Sequence, residues 1–206
     1  MKKTNLVALS VLGSLLAGCA ATDATVDRRA QAVAMMKASF TERGQAKLDR
    51  FDQDELQRLC SLKSGVQLDK TVAMRLEKEQ QARIKYPADG NYLGDWKAGE
   101  KIAQSGRGGQ YNDNPKNPAG GNCYACHELT KAEVSYGTIG PSLYNFGKRR
   151  GYTPEIQKYA YGKVYNSQAF AACSSMPRFG HNGVLTEAQI KDVVALLMDP
   201  ASPVNK

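Results

Sequence analysis

Cys123, Cys126 and His127 are the residues whose types and spacing most plainly do chemistry, standing as Cys123-Tyr124-Ala125-Cys126-His127. Two thiols one short turn apart can add to the two vinyl groups of a haem as thioethers, and the adjacent imidazole is then held beneath the porphyrin as proximal iron ligand. The rival chemistries are a zinc site, which wants a second C-x-x-C or a paired His set, and a redox dithiol, which wants a βαβ frame. The one other histidine is His181, and no strand pattern surrounds the motif. The spacing therefore reads as the attachment site of one covalent haem c.

A sixth iron ligand has to come from downstream, where Met176, His181 and Met198 are the candidates. Met198 shares an apolar helical stripe with Val194 and Leu197 and reads as core. Met176-Pro177-Arg178-Phe179-Gly180 reads as a loop stiffened by its proline, and a thioether there would complete His/Met coordination, which raises the potential relative to bis-His. Met176 is the favoured ligand and His181 the runner-up. Pro141, in Gly140-Pro141-Ser142-Leu143, is the candidate to accept the proximal imidazole N–H and so fix its tautomer.

Haem attachment needs an exported chain. Lys2 and Lys3 precede the apolar run Leu6 to Ala17, the charged and hydrophobic regions of a signal peptide. The run ends in Leu16-Ala17-Gly18-Cys19, which resembles a bacterial lipobox, so residues 1–18 are expected to be removed and Cys19 to carry lipid; the alternative is plain cleavage after Ala20 or Ala21. Two or more acyl chains would make that anchor stable. The expected location is the periplasm, tethered to a membrane. Cys60 and Cys173 then remain as an even pair in an oxidising compartment, either as a disulfide clamping the N-terminal arm to the haem domain or as two separate buried thiols.

The rest of the composition sets bounds. Of 206 residues, 28 are Lys or Arg and 20 Asp or Glu, and the net charge of +8 falls to +6 when Lys2 and Lys3 leave with the signal. No apolar run approaches the ~20 residues of a spanning helix, which excludes a polytopic membrane protein. An exported basic chain points to acidic proteins or anionic lipid and not to nucleic acid. The run Lys148-Arg149-Arg150 has three readings: steering an anionic partner, pairing with haem propionates, or a solvated turn.

The positioning elements read as all-helical. Residues 19–87 are rich in charged residues, Gln and Ala and predict two or three amphipathic helices, one opened by Asp52 and Glu55 as a capping pair, serving as a spacer or clasp. Composition changes at Pro87, beyond which lie most of the Gly, Pro and Tyr and the one Trp. In residues 88–206, Asp95 predicts the N-cap of one helix, Pro154 the first turn of a second, and Thr186 with Gln189 a capping box opening the last.

Five stretches together resemble the SoxX family, the mono-haem subunit of the SoxAX cytochrome of bacterial thiosulfate oxidation. They are Gly121 to His127, Gly137 to Leu143, Met176 to Gly180, Leu185 to Ile190 and Ala195 to Asn205, spread over residues 90–206. The resemblance implies a class I cytochrome c fold, with haem on Cys123, Cys126, His127 and Met176 and the Asp95 helix crossing the C-terminal one. It implies a SoxA-like haem subunit as partner, transient contact with the SoxYZ carrier, and electron transfer to a soluble cytochrome c. The chemistry on thiosulfate would then lie on the partner. The other reading of the same residues is a free-standing tethered cytochrome serving an oxidase. The long helical arm is absent from shorter members of that family, so no role transfers to residues 20–87.

Overall fold

The Asp95 side chain accepts from the Lys97 N–H and starts a helix over Trp96–Gln104 whose closest neighbour is the helix Glu187–Met198. The computed structural model describes residues 28–61 and 68–206. The signal segment, Cys19 and Leu62 lie outside the described residues. In chain order the α-helices are α1 (Arg28–Ser39), α2 (Glu55–Ser61), α3 (Lys70–Ala82), α4 (Trp96–Gln104), α5 (Phe146–Arg150), α6 (Pro154–Tyr165) and α7 (Glu187–Met198), with short 3-10 turns between them. The described residues contain no strand, only an isolated bridge between Arg43 and Ala46. The architecture is all-α.

The chain divides into Met1–Phe40 and Thr41–Lys206. In the first unit α1 is rich in alanine and buries none of its residues. The compositional change at Pro87 falls inside the second unit, so the described residues between 41 and 87 belong to the same unit as the haem-motif region.

The core of that unit lies between α4, α6 and α7. Ile190, Val194 and Leu196 of α7 are fully buried beside Tyr161 of α6 and Ala103 of α4. Each large apolar side chain so buried contributes roughly 1.5–3 kcal/mol. The α4–α7 crossing is close because Gly99 has no Cβ: one built there would lie 2.1 Å from the Asp192 carbonyl oxygen. The capping box of α7 forms as the sequence predicts, Thr186 and Gln189 exchanging hydrogen bonds. Pro154 occupies the first turn of α6.

The cap of α2 is displaced from the predicted pair. Asp54, not Asp52, receives the Gln57 N–H at 2.8 Å, and Gln57 Oε1 accepts from the Asp54 N–H at 3.0 Å. The helix thus begins at Glu55, and the reciprocal partner is a glutamine, which satisfies the same geometry. The second Asp54 oxygen explains the choice, because it receives Arg178 Nη1 at 2.6 Å. Burial pushes the Asp54 carboxyl up, but the Gln57 N–H and the Arg178 guanidinium outweigh it and hold the group below its ordinary value.

A depressed carboxyl stabilises the fold fully above its unfolded pKa of ~3.9 and loses that contribution as pH falls through the lower folded value. Asp54→Asn keeps a competent cap and removes the ion pair. The variant is expected to lose about 2–3 kcal/mol at pH 7, Asp54 being partly exposed. The gap between variant and parent should begin to narrow below about pH 4 and close only once pH has fallen through the depressed folded value, where the parent's carboxyl is itself protonated. Urea midpoints at pH 7 and across that fall check this; a gap that stays constant would show that the carboxylate charge contributes nothing.

Candidate haem site

The C-x-x-C-H segment is fixed from α4. Gly121 N–H donates to the Ile102 carbonyl and Asn122 N–H to the Ser105 carbonyl, at 2.8 and 2.9 Å. Asn122 adopts a left-handed conformation (φ 46°), which turns the chain into the 3-10 turn Cys123–Ala125. The His127 N–H then reaches the Cys123 carbonyl at 2.9 Å, so both thiols and the imidazole emerge from one turn. Cys123 and Cys126 stay unpaired, and burial pushes the Cys123 thiol up to about 12. Reactive dithiols depend on the opposite shift.

The loop 137–143 folds back against this turn. Gly137 and Gly140 N–H groups donate to the Tyr124 and Cys126 carbonyls, and Leu143 N–H to that of Glu128, each at 2.8 Å. His127 Nδ1 lies 2.7 Å from the Pro141 carbonyl oxygen. A carbonyl only accepts, so Nδ1 carries the proton and Nε2 keeps its lone pair for a metal. Gly140 is what admits the ring: a Cβ there would sit 2.1 Å from His127 Cε1.

Cys123, Cys126, His127, Pro141 and Met176 line one cavity of about 640 Å³. Its walls are mainly apolar, from Leu129, Leu143, Phe146, Val164, Phe179 and Leu197, with two cations, Arg150 and Lys163. Haem c fits this donor set: two thiols on one turn, an imidazole with a free Nε2, a thioether, apolar walls for a porphyrin and cations for its carboxylates. His181 does not line the cavity; it is half-buried, and its backbone N–H donates to the Tyr165 carbonyl. Burial and the nearby Arg178 and Arg83 push its imidazole below the ordinary value, against Asp54. Met198 is buried in the core of α7.

Cys60 and Cys173 form a disulfide, with Cα atoms 5.5 Å apart. Of the basic run, Arg150 alone borders the cavity, its guanidinium over the rings of Phe146 and Tyr159; Lys148 and Arg149 are exposed. Sequence reasoning missed Lys163. The available signal was α6 periodicity, since Tyr159, Ala160, Lys163 and Val164 share one face and all four border the cavity.

The cytochrome c family profile matches residues 116–199, a span that includes the C-x-x-C-H turn, Pro141, Met176 and all of α7. A relative from Aquifex aeolicus (strain VF5), named an uncharacterized lipoprotein, is 36% identical over a 215-position alignment covering all of both chains. Residues 116–199 are a cytochrome c domain, in a chain related over its whole length to that lipoprotein. The cytochrome c domain is of the all-α, class I kind, binds haem c covalently and serves electron transfer. No described helix is long and apolar enough to cross a membrane.

Proposed function

We propose that this cytochrome is the electron-transfer subunit of a SoxAX-type complex, carrying one haem ligated by His127 and Met176 and held through Cys123 and Cys126. The observation that carries the ligand assignment is that both residues face the same cavity as the two cysteines while His181 does not. The haem, when bound, accepts and releases single electrons. The chain's own residues keep that exchange outer-sphere. Pro141 holds the imidazole proton on Nδ1 and leaves Nε2 for iron, Met176 would supply a second ligand that denies substrate access to the metal, and the apolar walls exclude water.

The sulfur-oxidising assignment is supported by the SoxX-like stretches around those ligands and at the C-terminus. In that setting a SoxA-like subunit joins thiosulfate to a carrier cysteine, a coupling that releases electrons and a proton. This subunit takes the electrons on to a soluble cytochrome c. Neither Cys60 nor Cys173 is available as the reacting thiol, since they are bonded to one another. Lipid on Cys19, supported by the lipobox-like sequence and by the relative's name, would hold the protein at the periplasmic membrane face.

The test is affinity purification at low salt from detergent-released membranes, with haem staining and thiosulfate added with and without the carrier. A second haem subunit that co-elutes, and haem reduction that requires both thiosulfate and carrier, are the expected results. A protein that elutes alone and ignores thiosulfate is instead a tethered shuttle to an oxidase.

A further inference from the structure

The loop that bears Met176 has little structure of its own. Between the 3-10 turn Ser167–Ala169 and α7 there is no regular element; the local bonds nearest Met176 are turn contacts, Gln168 to the Ser174 carbonyl, the Met176 N–H to Ser174 Oγ and Ser167 to the Met176 carbonyl. Beyond Arg178 the Gly180 and His181 N–H groups donate to the Tyr165 carbonyl at the end of α6, and the remaining tethers come from α2, α3 and the residue before α2. Asn166, fully buried, donates to Gln80 Oε1 at 3.0 Å and to the Gln80 carbonyl at 3.2 Å. Gln81 Nε2 donates to the Ala169 carbonyl, and the Ala172 N–H to Glu77 Oε1, both at 3.0 Å. Cys173 is bonded to Cys60. Arg178, 5% exposed, reaches Asp54 at 2.6 Å and Gln80 Oε1 at 3.4 Å.

These attachments bracket Met176 on both sides, three residues before it and two after. A neutral thioether is a weak ligand, so its hold on iron depends on the chain that presents it being already in place. We propose that α2 and α3 are a positioning clasp for the Met176 loop, in which Asp54, Gln80 and the Cys60–Cys173 disulfide keep the thioether from leaving the iron. The idea rests on the His/Met reading above. It gives the N-terminal arm a task at the haem rather than in anchoring alone, with Asp54 and Gln80 as positioning residues that do not border the cavity themselves.

A free ligand that competes with Met176 reads the clasp directly, because its apparent dissociation constant is the intrinsic one divided by the fraction of open loop. Imidazole titrated into the full-length ferric holoprotein is the probe, followed by the far-red sulfur-to-iron charge-transfer band. Asp54→Asn, and separately the double variant Cys60→Ser with Cys173→Ser, are expected to tighten imidazole binding by about 10-fold or more. Asp54→Glu should recover part of the loss. Arg75→Gln, which removes exposed pairs to Glu55 and Glu79 within the same two helices, should leave the affinity at the parent value. Parent-like affinity in both clasp variants overturns the proposal; if the double variant does not fold, Asp54→Asn decides. If the parent lacks the band and binds imidazole as tightly as Met176→Ala does, the ligand assignment itself falls.

Discussion

Met176→Ala is expected to abolish the sulfur-to-iron charge-transfer band and to lower the midpoint potential by on the order of 0.1–0.2 V, part of the ~0.8 V that axial ligands span. Met176 is the one methionine among the described residues that lines the haem cavity, Met198 being buried in α7. Truncation leaves His127 with its Pro141 hydrogen bond intact, so haem attachment should survive while the sixth position opens to water or added ligands. His181→Ala is the matching control and should alter neither spectrum nor potential, its ring lying outside the cavity lining. Ferric and ferrous spectra with a redox titration on the two variants settle the matter. Unchanged spectra in Met176→Ala, with a loss in His181→Ala, would reverse the assignment.

Gly99→Ala should be strongly destabilising for a single added methyl. The added carbon would meet the Asp192 carbonyl oxygen at 2.1 Å and its carbon at 2.6 Å, with Leu196 Cβ at 3.1 Å, all on α7. The first two are backbone atoms of a helix, so no rotamer change relieves the clash and α4 must move away. Overpacking costs typically 1–3 kcal/mol and occasionally more; here about 3 kcal/mol or more is expected, even though alanine favours helix over glycine by ~1 kcal/mol. Because Ile102 and Ser105 at the end of α4 hold the C-x-x-C-H turn, the same shift should reduce the yield of covalently loaded protein. Denaturant midpoints and haem staining measure the two effects. A midpoint equal to the parent's would mean that the helices do not cross at Gly99.

What the sequence disclosed and what it withheld divide along the range of the interactions. The Asp95 and Thr186 caps, the Pro154 start and the C-x-x-C-H turn each depend on residues within a few positions of one another, and each signal is chemical as well as periodic. The pairing of His127 with Pro141 follows from the likeness to other haem c proteins, in which a proline carbonyl between the two ligands commonly accepts the imidazole N–H, and the two atoms lie 2.7 Å apart. Asp54 shows the limit. Locally Asp52 and Asp54 are equally good caps, and what selects Asp54 is Arg178, 124 positions away. The Gln80–Asn166 contact is equally remote, and a glutamine in a charged amphipathic segment gives no hint that it is buried. Lys163 was hidden for the converse reason, since lysine on a surface helix ordinarily marks the solvent side. Residues 19–87 consequently read as a helical extension, a spacer or clasp between anchor and working domain, although Asp54, Cys60, Glu77, Gln80 and Gln81 within them hold the loop that bears the proposed ligand.

The finished chain keeps its cysteines in two opposed oxidation states. Cys60 and Cys173 must lose their hydrogens to join across a separation of 113 residues, while Cys123 and Cys126 must keep theirs until the thioethers form. Chance favours the wrong outcome, because neighbours three positions apart meet far more often in an unfolded chain than distant partners do, and four cysteines admit three pairings. Maturation is therefore a problem of sequence in time: the short-range pair has to be maintained as thiols by a reductant while the long-range pair is being closed by an oxidant. Folding eases the conflict. Once Cys123 is enclosed, with its thiol pushed up to about 12, it is almost wholly protonated near neutral pH and exchanges slowly with any disulfide. The native topology thus stores, side by side, one oxidation that has been completed and one that has been prevented.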